Sequence, residues 1–154
     1  MEQINLEKIK EVTEEFFIKT GLNIEVEVKP PEEQTISINL KTEEPQLLIG
    51  ERGQTLNEIQ RLLKIVLKKK AALDIPFYVN LDINEYKKKK IEYLKEAAKS
   101  AADEVALTKT EKQLSPMSAF ERRVVHMELA SRTDVVTESI GEGPERAIVI
   151  KPSP

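Results

Sequence analysis

The spacing of apolar residues along this chain changes several times between a helical and a strand period. Ile4, Ile9, Val12, Phe16 and Phe17 fall on one stripe that stops at Gly21, which predicts a helix over about residues 4–19. Leu22, Ile24, Val26 and Val28 then alternate with polar residues, as do Ile36, Ile38 and Leu40 beyond the Pro30-Pro31 turn. Two half-buried strands joined as a hairpin are expected there. A short apolar segment at 46–49 leads into Gly50-Glu51-Arg52-Gly53, and a helix over about 54–73 carries Leu56, Ile59, Leu63, Val66 and Leu67 on one face. Ile75, Phe77, Val79, Leu81 and Ile83 alternate as a third strand, with Pro76 tolerable near its start. This order makes a complete α+β unit ending near Asp82.

A second unit follows with no flexible spacer. Asp82, with Glu85 three residues on, predicts a capping box at the start of a helix. Ile91, Leu94, Ala98, Ala101 and Val105 give that helix a narrow face of mostly small residues, ending near Leu107. Residues 108–114 hold a faint strand signal. Ser115-Pro116 reads as an N-cap followed by proline at the first helical position, opening a helix that runs to about Arg132. Strands at about 134–140 and 146–151 flank a hairpin turn at Gly141-Glu142-Gly143-Pro144. The expected fold class is α+β in two small domains, residues 1–82 and 83–154.

Composition narrows the chemistry. The 154 residues contain no Cys and one His, which excludes disulfides, thiolate nucleophiles and Cys- or His-rich metal sites. No cofactor and no metal is expected. The apolar runs are too short to span a bilayer, and Met1-Glu2-Gln3 does not resemble a leader, so a cytoplasmic protein without membrane insertion is expected. The net charge of -3 argues mildly against a nucleic-acid partner, but the charge is unevenly spread. Residues 1–50 hold 5 Lys/Arg against 11 Asp/Glu, whereas residues 51–100 hold 12 against 7. For a polyanion this distribution matters more than the sum. Aromatic residues are only 5% of the chain, which argues against extensive base stacking.

Two places in the chain suggest a site. Gly50 and Gly53, three apart before a helix, allow a tight turn and close approach of another backbone. The free N–H groups at that helix start suit a phosphate, and Arg52 adds a charge. Glu51 works against an anion unless its side chain points outward. A plain helix–turn–helix corner is the alternative reading. Farther on, Arg122 and His126 are one helical turn apart. Met117, Phe120, Val124 and Met127 have the spacing of a core stripe, which puts Arg122 and His126 on the opposite side as a donor pair for phosphate or a base. Simple exposure is the alternative. The lysine run at 68–70 suits a helix C-terminus. The run at 87–90 lies at the wrong helix end for that and covers every side of the helix. It reads either as a solvated segment, some of whose lysines must snorkel, or as an electrostatic platform for RNA between the two domains.

Residues 1–82, with the stretch Leu48-Ile49-Gly50-Glu51-Arg52-Gly53-Gln54-Thr55-Leu56, resemble a type II KH domain, whose GXXG loop clamps a single-stranded backbone. The resemblance implies a groove beside Gly50, Glu51, Arg52, Gly53 and Gln54, floored in part by Ile49 and Leu56. Residues 84–152, with Arg122-x-x-x-His126 after Ser-Pro and before two strands, resemble the R-three-H domain, a family associated with single-stranded nucleic acids. Arg123 and Arg146, with Lys151, would extend that basic surface. Together the two motifs resemble the bacterial Jag-like (KhpB-like) proteins. Larger members carry an additional N-terminal domain, and this chain begins at the KH unit.

The resemblance implies a non-catalytic protein that binds single-stranded RNA, or single-stranded DNA, as a post-transcriptional regulator or RNA chaperone. It also implies a second small KH protein as partner, and links to cell shape, division and envelope processes. An adaptor working through protein contacts, linked to membrane-protein insertion, is the rival. An enzyme using His126 is a weaker one, since no orienting carboxylate stands at triad or metal spacing.

Overall fold

The computed structural model describes residues 4–154, so the leader reading of Met1–Gln3 lies outside the described residues. The chain divides into two compact units, one ending at Lys87 and the other running Lys88–Pro154.

In the first unit, α1 (Leu6–Ile18) is capped by the Asn5 side chain, which accepts from the Lys8 N–H at 3.1 Å. Strands β1 (Ile24–Val28) and β2 (Thr35–Thr42) form the expected antiparallel pair. Helices α2 (Pro45–Ile49) and α3 (Gln54–Lys70) then cross over to β3 (Tyr78–Ile83), which lies parallel to β2 in a sheet of order β1-β2-β3. A parallel pair requires such a crossover. The register sets Ile36, Ile38 and Leu40 beside Val79, Leu81 and Ile83, all buried. Ile9, Phe17, Leu63 and Leu67 from α1 and α3 complete the core.

The helix after β3 does not begin at Asp82. Asn84 takes a left-handed conformation, and its amide exchanges two hydrogen bonds with the Thr42 backbone, at 3.0 and 2.8 Å. It therefore extends the sheet edge. Glu85 is left-handed too, so the expected capping box cannot form, and α4 runs Tyr86–Thr108. Asp82 still caps: its Oδ1 accepts from the Lys87 N–H at 3.0 Å.

In the second unit, β4 (Lys112–Gln113), β5 (Val135–Ile140) and β6 (Ala147–Pro152) form an antiparallel sheet of order β4-β6-β5. The strand at 112–113 is the faint one expected. The core of this unit is built on small side chains, with Ala98, Ala101, Ala102 and Val105 of α4 against Val125, Leu129, Val135, Ile148 and Ile150. Helix α5 (Ala119–Leu129) starts later than Ser115-Pro116 suggested. The Leu114 N–H donates to the Ile148 carbonyl and the Met117 N–H to that of Arg146, so the segment around Pro116 stays extended beside β6. Ser118 becomes the N-cap, in a capping box with Glu121. The helix also ends before Arg132. The Arg132 guanidinium binds Asp134 at 2.8 Å and Asp103 at 2.7 Å, and hydrogen bonding to Arg132 holds the Asp134 carboxyl below its ordinary range. Among the described residues no helix is long and apolar enough to cross a membrane.

Candidate nucleic-acid interface

The Gly50–Gly53 loop is shaped by its backbone. Gly50 has φ 69° and ψ -173°, a combination essentially restricted to glycine, and a Cβ there would collide with the Thr55 side chain. Arg52 is left-handed at φ 55°, as is Gly53 at φ 78°. Gly53 is buried because Tyr86, the first residue of α4, packs over it, and a Cβ would meet that ring at 3.2 Å. Tyr86 is thus a supporting residue that the loop's own sequence could not reveal. Gly53 is also the N-cap of α3 and has no side chain to cap its first turn; the Gln54 N–H donates back to the Glu51 carbonyl, and the N–H groups that follow it carry no side-chain cap. Glu51, Arg52 and Gln54 are exposed and Ile49 is half-buried. Leu56 is 1% exposed, which corrects the expected groove floor: it anchors the helix beneath the loop and offers no surface to a base.

Beside the loop's helix, Gln60 Oε1 accepts from the Leu81 N–H at 3.0 Å and from Lys87 Nζ at 2.8 Å, while Asn80 Oδ1 accepts from the same Nζ at 3.0 Å. Burial pushes the Lys87 ammonium below its usual range, and Asp82 opposes that shift. Lys90 pairs with Glu121 at 2.6 Å. Two of the four consecutive lysines are therefore held in place, and only Lys88 and Lys89 are exposed.

In the second unit the stripe read from Phe120, Val124 and Met127 does not face the core. Val125 and Leu129 do, and Phe120 and Met127 are 62% and 67% exposed. Glu121 and Glu128 flank the inward face, where they pair with Lys90 and Lys99, and this lets polar residues sit half-buried. Arg122 and His126 are accordingly half-buried rather than opposite the core. Both are pinned. Arg122 Nη1 donates to the Met117 carbonyl at 2.7 Å, and His126 Nδ1 lies 2.6 Å from Thr137 Oγ1 on β5. These bonds leave His126 Nε2 and the remaining guanidinium donors for a ligand. Met117 also joins two of the basic residues, since its N–H donates to the Arg146 carbonyl at 3.2 Å while its own carbonyl holds Arg122. Arg146 Nη1 braces the turn by donating to the Gly141 carbonyl at 2.8 Å. Lys151 pairs with Glu138 at 2.7 Å, which neutralises it as a contributor to the basic surface. Arg123 is exposed on α5, as are Phe120 and Met127.

A glycine loop opening α3 in an α-β-β-α-α-β unit, with an Arg–His helix on a second small sheet, defines a KH domain followed by an R-three-H domain. The KH domain family model matches residues 6–99 and the R-three-H domain model residues 92–152. The chain belongs to the KH-domain family. It is similar to the RNA-binding protein KhpB of Clostridium symbiosum, 36% identical over 94% of this chain and 64% of that protein. It is similar as well to RNA-binding protein KhpB of Lactiplantibacillus plantarum (37% identical, 74% of this chain and 35% of that one) and of Bacillus subtilis (36%, 76% and 56%). The chain thus spans between about a third and about two thirds of these relatives' length.

Proposed function

We propose that this chain binds single-stranded RNA without catalysis, as a post-transcriptional regulator or RNA chaperone. The observation that carries this reading is the Gly50–Gly53 loop, with an exposed Arg52 beside an α3 first turn that no side chain caps. Backbone N–H groups and one exposed cation there suit a phosphate more than any neutral ligand. Arg122 and His126, pinned with donors to spare, provide a second contact on the same chain. Two modest sites on one chain reinforce each other through effective concentration. The similarity to proteins named as RNA-binding supports the same reading.

Fluorescence anisotropy with a short unstructured RNA across a salt series tests it. Each phosphate contacted should steepen the log–log salt slope by about 0.7. Arg52→Asp reverses the charge at position 52 with a residue that tolerates the left-handed conformation, and it should abolish most binding with the fold intact by circular dichroism. Wild-type protein that binds no RNA at low salt would sink the proposal. It would favour a protein adaptor, for which the exposed Phe120 and Met127 on α5 offer a surface.

A further inference from the structure

At the far end of α3 from the glycine loop lies a pocket of about 330 Å³, lined by Lys64, Lys68, Asp74, Pro76, Phe77 and Tyr78 among others. Lys64 and Lys68 are ten and fourteen residues beyond Gln54, which at helical rise is about 15 and 21 Å away. The Lys64 Nζ stands 5.2 Å from the Tyr78 ring centroid and 5.7 Å from that of Phe77, both within cation–π reach. Phe77 is buried, but Tyr78, the first residue of edge strand β3, is 63% exposed.

Lys68 sits in the last turn of α3, where the helix dipole accounts for it. Lys64 lies before that turn and lacks this explanation. Among the described residues neither lysine has a carboxylate within 4 Å. Asp74 is the one acidic group lining the pocket, so two cations face one anion. A mostly exposed aromatic ring beside surplus positive charge matches a ligand that joins a flat π-system to an anion. A nucleotide is such a ligand.

We infer that this pocket is a second nucleotide subsite, in which a base of an RNA strand stacks on Tyr78 and its phosphates meet Lys64 and Lys68. The inference rests on the RNA-binding reading of the loop and lengthens its footprint toward the opposite end of α3. One platform suffices for one base, so the scarcity of aromatic residues is no obstacle.

The test compares an RNA of roughly four nucleotides, the length a GXXG loop clamps, with one of about twelve. Tyr78→Ala should weaken the longer RNA about tenfold, the stacking contribution of one base, and leave the shorter one unchanged. Tyr78→Phe should restore the longer RNA's affinity, because it keeps the ring. A joint Lys64→Gln, Lys68→Gln variant should flatten the salt slope on the longer RNA only. If Tyr78→Ala binds the longer RNA as wild type does, the subsite is overturned while the loop reading stands. If wild type binds neither RNA, both fall. If adenosine monophosphate alone binds in a Tyr78-dependent way as tightly as the longer RNA, the occupant is a free nucleotide and the strand assignment is overturned.

Discussion

The two domains form their candidate sites by opposite means. In the first, backbone conformation makes the site: Gly50, Arg52 and Gly53 all have positive φ, and the helix start they open carries no side-chain cap. In the second, side chains make it, with Arg122 and His126 each fixed by a hydrogen bond to a neighbouring segment. The cores differ in parallel. The first domain buries large aliphatic side chains, whereas the second rests on alanines and a few branched residues. A site made from backbone loses its shape when its glycines change, whereas its exposed side chains tune charge without holding that shape. A site made from side chains depends on the contacts that hold them, so each bracing residue matters.

The sharpest way to break this comparison is at Gly50. Gly50→Ala combines a glycine-only backbone with a collision against Thr55, so it should cost about 3 kcal/mol, read from urea unfolding. A loss below about 0.5 kcal/mol would mean that the loop relaxes freely and is not conformationally defined.

Next is the rotation of α5. Val125→Ala should destabilise by about 2 kcal/mol because its side chain is fully buried in a small core. Phe120→Ala should change stability by less than about 0.5 kcal/mol, since its ring is mostly exposed. The reverse order in thermal melts would restore the core stripe read from the spacing alone.

A smaller effect is expected at Thr137→Val. It removes the partner of His126 Nδ1 and should cost about 1 kcal/mol. It should also weaken RNA binding without touching RNA, because the imidazole loses its orientation. Unchanged affinity would show that the bond serves stability alone.

The smallest effect concerns Lys87. Burial lowers its pKa in the folded chain, so below the ordinary 10.5 the unfolded chain binds more protons. Stability therefore rises with pH from the depressed value up to about 10.5. Wild type should gain on Lys87→Met across that window in pH-dependent unfolding. A constant difference between the two would remove burial as the dominant influence on this ammonium.

Much of this fold can be read from the residues. The alternation of Ile36, Ile38 and Leu40, and of Phe77 to Ile83, locates two strands because one face of each is buried. Gly50 and Gly53 locate the loop because their spacing reflects a local backbone need. The α5 face is misread because Phe120 and Met127 have helical core spacing yet remain exposed, while Glu121 and Glu128 turn inward to meet lysines of α4. Those ion pairs depend on a neighbour distant in sequence. The same holds for Asn84, whose bonds to Thr42 delay α4, and for Tyr86, which closes over Gly53. Local patterns reveal what is satisfied locally; long-range partners decide the remainder.

RNA is expected to make its first contact at the glycine loop. Titrating the isotope-labelled full chain with a short unstructured RNA, and following backbone amide shifts, tests this most directly. The amides of Gly50 to Gln54 should move first, followed by those around Arg122, His126 and Thr137. RNA that binds while the Gly50–Gln54 amides stay still would contradict a loop-first contact.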